Sequence, residues 1–222
     1  NIASLTTSQV SGLSSAQINL LSSTQISGLT SSNIQSLTSS QAAGLSTTTI
    51  ASLSSSQLQA LTTAQLQSVT LSGLGTGQIS NLSVNQVKSL SSTQLNNLSS
   101  TQLRNISSTQ LGQLSTSQVK NLTATTLQNA GTSNLNLLSA NQFAAITSTV
   151  FQSLGSTAIG SLNSAAAANL SASQLNALNT TDLGKISSTN IAALTLSQIQ
   201  GLSTAQLNNL TSTQLQAIET AD

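Results

Sequence analysis

The side chains that most often do chemistry are nearly missing from this sequence, so the few that remain can be weighed one by one. There is no His and no Cys, and the acidic residues are Asp182, Glu219 and Asp222. A Ser or Thr hydroxyl becomes a nucleophile when a neighbouring base takes its proton. The many hydroxyls here have no imidazole to serve them. General acid–base work needs carboxyls of contrasting environment in one site, and no pair of the three supports that reading. Zero Cys also removes zinc knuckles, disulfide frameworks and thiol chemistry. Lys88, Arg104, Lys120 and Lys185 are too few and too scattered for the basic patch that nucleic acid requires. The expectation is therefore a chain that is not an enzyme, with no catalytic, cofactor-binding or metal-binding residue and no nucleic-acid partner. No apolar run reaches the length of a membrane span, so no membrane insertion is expected.

What must position the remaining residues is a repeat. Only 3% of the chain is charged, against roughly a quarter in ordinary soluble domains. The 37% that is hydrophobic falls with strict regularity, which argues against disorder. The unit is eight residues long and reads Leu–Ser/Thr–x–x–Gln–Leu/Ile/Val–x–x. Its first position falls at Leu5, Leu13, Leu21 and onward to Val69, then resumes at Leu74 and runs to Ile218. Of 26 complete octads, 17 carry Gln at position 5 and 21 carry Ser or Thr at position 2, so the grammar inside the unit can be read for its physics.

One long helix does not fit. Eight residues at about 100° each rotate the apolar stripe by about 80° per repeat, so it winds around the axis. A plain strand also fails, because positions 1 and 6 have opposite parity. A short capped helix fits every position. In the octad that starts at Leu13, Ser14 is the N-cap, Gln17 three residues on completes a capping box, and Leu13 packs on Ile18 as a hydrophobic staple. Position 8 is often Gly or Asn (Gly12, Gly28, Gly44, Asn81, Asn97, Asn105, Asn121), residues that tolerate the left-handed conformation ending a helix. Such helices are too short to stand alone. They predict an all-α solenoid in which each unit is stable only between neighbours, with bonds between adjacent Gln and hydroxyl groups assisting the stack.

A 16-residue superperiod points to two helices per coil: Gly12, Gly28 and Gly44 are 16 apart, as are Lys88, Arg104 and Lys120. Three octads per coil is the other arrangement. A β-solenoid with Asn/Gln ladders is the alternative fold. Against it, Leu and Ala dominate where a β core favours Val and Ile. The domain reading is one elongated solenoid: octads over 1–68, a phase slip with clustered glycines over 69–81, and octads continuing over 74–222.

The slip is Val69-Thr70-Leu71-Ser72-Gly73, five residues in place of eight. It reads either as a tolerated deletion that kinks the solenoid or as a hinge at Gly73, Gly75 and Gly77. From 126 to 169 the grammar loosens: Gly131, Gly155 and Asn163 replace the N-cap, and Val150, Ala158 and Ala166 replace the Gln. Phe143 and Phe151 both fall at position 6 and read as core, with an aromatic binding patch as the other option. Lys88, Arg104 and Lys120 read as a solvated face or as a weak basic stripe. Seven Asn-x-Ser/Thr sequons (Asn81, Asn97, Asn105, Asn121, Asn169, Asn179, Asn209) arise mostly because Asn at position 8 precedes Leu-Ser.

The octads Leu90-Ser91-Ser92-Thr93-Gln94-Leu95 and Leu98-Ser99-Ser100-Thr101-Gln102-Leu103 resemble the Leu-(Ser/Thr)-x-x-Gln-(Ile/Leu/Val) arrays of very large bacterial secreted and cell-surface proteins, often labelled adhesin-like. The resemblance implies an extracellular, structural role and carries over no catalytic or binding residue. The expected function is a subunit of an extracellular fibre or filament, or a stalk, on a bacterial surface. The chain starts at Asn1 without Met, which suggests a processed product or a fragment. Asn1 and Asp222 both fall at position 5, so Asn1, Ile2, Ile218 and Asp222 are candidate ends for self-association. The expected partner is a second copy, end to end, or neighbouring repeats of a longer chain. The alternative is a module that binds ice or polysaccharide through rows of Ser and Thr at positions 3 and 4.

Overall fold

The structure is a computed structural model and describes residues 2–219. Among these residues there are 26 α-helices and two single 3-10 turns, and no strand, so the helical reading holds and the β-solenoid does not. The helices are four to eight residues long. Most begin as the octad predicts; the helices that follow Gly75, Gly131 and Gly155 start without a side-chain cap. The Ser14 Oγ accepts from the Gln17 N–H at 3.2 Å, and the Gln17 Oε1 accepts from the Ser14 N–H at 2.8 Å. Two orphan donors of the first turn are thereby satisfied within one octad.

The helices do not end as expected. Gly12, Gly28, Gly44, Asn81 and Asn97 all keep right-handed helical φ and ψ. The turn is instead made by position 1 and the N-cap, both extended: Leu61 has φ −59° and ψ 127°, and Thr62 has φ −64° and ψ 159°. Any L-residue adopts these angles, so no left-handed residue is required. The N–H of position 1 closes the preceding helix by donating to the position 6 carbonyl, as Leu61 does to Leu58 at 3.2 Å. Among the described residues, positive φ occurs only at Gly131 (84°) and Gly155 (80°), where glycine has replaced the N-cap.

Helices stack three apart in sequence. Ser39–Ala43 packs on Thr63–Ser68, Thr116–Lys120 on Ala140–Ala145, and Ser148–Gln152 on Ala172–Ala177. One turn of the solenoid thus takes three octads, which corrects the two-per-coil expectation. The 16-residue superperiod lies at positions 7 and 8, at the ends of the helices and outside the core, whereas the core positions and the inter-turn bonds described below set the stacking. Positions 1 and 6 point inward on all three sides, and their aliphatics form the core. Leu58, Leu66, Phe143 and Phe151 are fully buried.

The chain divides into two compact units, Asn1–Gln113 and Leu114–Asp222. In the first, the five-residue slip is absorbed inside the stack. Leu71–Gly73 forms a 3-10 turn that takes the place of a helix and packs on Thr47–Ala51, with Leu71 buried where a position 6 residue would be. In the second, the rings of Phe143 and Phe151 meet edge to face at 5.9 Å, and both are core rather than a surface patch.

Candidate functional site

The chemistry concentrated in this fold is that of the carboxamide. Gln57, 3% exposed, uses both ends of its side chain. Its Oε1 accepts from the N-cap N–H of Ser54 at 2.8 Å. Its Nε2 donates to the carbonyls of Ile26 and Leu29, at 2.7 Å each, in the turn beneath. Those carbonyls sit where one helix ends and the next begins, the place where a helix leaves acceptors unsatisfied. One amide therefore caps the start of its own helix and the end of another, 28 and 31 residues back. The second unit repeats the pattern: the Gln174 Nε2 donates to Phe143 and Ile146 at 3.0 and 2.8 Å, and the Gln206 Nε2 to Leu175 and Leu178 at 2.8 and 2.9 Å. The inter-turn bonds of the Gln side chains thus run to backbone carbonyls, while hydroxyls join the stack at a few octads, as Ser55 does with Asn81 at 3.0 Å and Ser164 with Asn190 at 3.1 Å.

The two functions explain the residue type. Glu would accept from the N-cap but would have nothing to donate across the turn. Asn can do both, and Asn33 and Asn190 donate to Leu5 and Leu162 at 3.1 and 2.6 Å. In the octads of Thr49 and Ala166, where position 5 has no amide, an amide at position 7 of the turn beneath takes over. The Asn19 Oδ1 accepts from the Ser46 N–H and from the Thr49 Oγ1, both at 2.9 Å, while its Nδ2 donates to Gly44 at 2.8 Å. Asn136 reaches Asn163 and Ser161 in the same way, at 3.0 Å each. These position 7 amides escaped the sequence reading, although Asn or Gln recurs at that position. Among the described residues, no buried side-chain polar atom lacks a partner.

Among the described residues, Asp182 is the one ionisable group at position 5 of the ladder. It is 4% exposed, accepts from the Ser156 Oγ at 2.5 Å and from the Asn179 Nδ2 at 2.7 Å, and has no donor of its own. The Leu154 carbonyl, 28 residues back, receives the Gln128 Nε2 at 3.0 Å instead. Among the described residues, no three His, Cys, Asp or Glu side chains gather as a metal site would require.

The other candidates distribute as follows. Asn1 and Asp222 lie outside the described residues. Ile2 is half-buried, and so is Ile218, which lines a groove of about 230 Å³ with Ile191, Leu194, Leu196 and Ile199. Gly73 is held against Thr47: a Cβ there would lie 2.5 Å from the Thr47 carbonyl oxygen. Gly75 is the N-cap of Thr76–Ser80 and donates its N–H to the Gln78 Oε1 at 2.8 Å, while Gly77 is exposed with open space about it. The slip leaves a groove of about 340 Å³ lined by Val69, Thr70, Leu71, Ser72, Gln94 and Asn97. Lys88 and Arg104 lie two helices apart and so face different sides, which removes the basic stripe in the first unit. Hydroxyls of neighbouring octads, such as Ser92-Thr93 and Ser100-Thr101, also face different sides. A row on one side of the first unit runs instead through Thr7-Ser8, Ser31-Ser32 and Ser55-Ser56, all exposed.

Residues 176–212 match the ALTTAQ repeat. The letters of that description occur together at Ala60-Leu61-Thr62-Thr63-Ala64-Gln65, with Ala at position 8, Leu at position 1, the N-cap Thr at position 2 and Gln at position 5. The chain is thus a repeat protein with a helical solenoid fold, and the repeat it resembles carries the same capping grammar. No curated protein matches it.

Proposed function

We propose that this chain is a structural repeat segment that works outside the cell, in a fibre, filament or stalk at a bacterial surface, and that it performs no catalysis. The observation that carries this reading is the use of the recurrent chemistry of the octads: the hydroxyl caps a helix, the two aliphatics fill the core, and the amide ties one turn to the next. Little is left over for recognition of a small molecule. The resemblance to bacterial surface arrays supports the location, and no described helix is long and apolar enough to cross a membrane. Antibody raised against the chain should label the surface of intact source cells. Label that appears only after the cells are broken would overturn the proposal.

A second reading draws on the exposed hydroxyl row through Thr7, Ser31 and Ser55. Regular hydroxyls on one side favour a polysaccharide or ice surface. Retention of the chain on a polysaccharide column, or thermal hysteresis of its solutions, would move the assignment to that reading.

A further inference from the structure

At the slip, one side of the first unit loses a helix. The 3-10 turn Leu71–Gly73 packs on Thr47–Ala51. The full helix Ser92–Asn96 lies on its other side. It is held there by Gln94, whose Nε2 donates to the Leu66 and Val69 carbonyls at 2.8 and 3.0 Å. A short turn between two full helices opens the groove of about 340 Å³ at Val69–Ser72, Gln94 and Asn97. That volume is at the lower end of small-molecule sites.

The deletion also frees polar groups that other octads spend. In a regular octad the position 2 hydroxyl accepts from the position 5 N–H, as Ser54 does from Gln57 at 3.3 Å. The turn at the slip offers no such donor, and the Thr70 hydroxyl makes no cap bond. Asn81 and Asn105, at position 8 like Asn97, donate to Ser55 and Thr101 at 3.0 and 2.8 Å. The side chains of Ser72 and Asn97 have no such partner among the described residues. Thr70, Ser72 and Asn97 are all exposed, while Val69 and Leu71 form a buried aliphatic floor. No residue of the lining is ionisable.

We propose that this groove binds a neutral sugar unit, with Thr70, Ser72 and Asn97 pairing with its hydroxyls. Each of these groups both donates and accepts, as every sugar hydroxyl does. The C–H face of the ring covers Val69 and Leu71. A charged ligand would give up hydration with no counter-charge in the lining. A wholly apolar ligand would strip water from the two hydroxyls and the carboxamide without replacing its bonds. An uncharged, hydroxyl-rich ligand meets neither penalty. The inference rests on the second reading above, and it moves the specific contact from the hydroxyl row to the slip.

The test is a titration of the whole chain, followed by its amide signals in nuclear magnetic resonance. The probes are methyl glycosides and tetrasaccharides of glucose, galactose, mannose and N-acetylglucosamine. At least one should move the signals of residues 69–72 and the Asn97 side-chain amide together, saturating with a Kd of about 1 mM. A tetrasaccharide that binds more tightly than its glycoside assigns the site to a polysaccharide, and equal binding assigns it to the free sugar. Thr70→Val with Asn97→Ala removes the hydroxyl and the carboxamide without breaking an internal bond. This variant should bind about tenfold more weakly, with unchanged helical circular dichroism. Signals that move only at Ser31 and Ser55 would overturn the site and leave the second reading standing. No movement with any probe would overturn both, and a double variant that binds as tightly as the unaltered chain would overturn the site.

Discussion

Replacing Gln57 by Glu would separate the two functions of its side chain. The carboxylate still accepts from Ser54, but it faces the Ile26 and Leu29 carbonyls with no hydrogen to offer. Two buried acceptors lose their donor and a charge is buried among them, a loss of about 2–4 kcal/mol. Gln17→Glu, at an exposed amide with no inter-turn bond, should cost well under that, and urea unfolding of the two variants compares them directly. The Gln57→Glu effect should also depend on pH. Burial beside carbonyls favours the protonated carboxyl, which has a hydrogen to donate, so its folded pKa is raised above the unfolded value of about 4.3. Stability is then closest to that of the unaltered chain below pH of about 4.3 and is lost as pH rises through the folded pKa. A variant whose deficit does not change between acid and neutral pH would contradict this account.

Among the elements, the start of each helix was legible in the sequence and its end was not. Ser-x-x-Gln is a local signal, complete within four residues, so Ser14 and Gln17 could be paired without knowing what surrounds them. The glycines at position 8 were read as conformational signals, but the reason for one of them lies in another turn. A Cβ on Gly44 would lie 2.6 Å from the Ser15 Cβ, so what Gly44 provides is room for its neighbour. Gly73 is the same kind of residue at the slip. Gly73→Ala must push against the Thr47 backbone and should destabilise by roughly 1–3 kcal/mol. Gly77→Ala lies in the helix Thr76–Ser80 with nothing near its new methyl and should stabilise by about 0.5–1 kcal/mol. Thermal unfolding of the pair checks both signs, and a neutral Gly73→Ala would mean that the short turn yields freely.

The solenoid class could be read from the sequence because repetition and core patterning are properties of the whole chain. The number of octads per turn could not. Every octad carries nearly the same side chains, so the sequence hardly marks which octad lies above which. The amide bonds between turns do mark it. The slip demonstrates this: across it Gln78, Gln86 and Gln94 reach Leu53, Leu61 and Val69, 25 residues back. By Gln102 the 28-residue reach to Leu74 has returned. Three residues are missing from one turn, yet the same sides remain stacked. The candidate site was legible only in part for the same reason: the cap half of each Gln is local, while its inter-turn half depends on the period.

The period is therefore the claim on which the rest depends, and nuclear Overhauser contacts from the Gln57 side-chain amide test it most directly. Contacts to Ile26 and Leu29 are expected from three helices per turn. Contacts to Ile34 and Leu37 in their place, as two helices per turn would require, would contradict it.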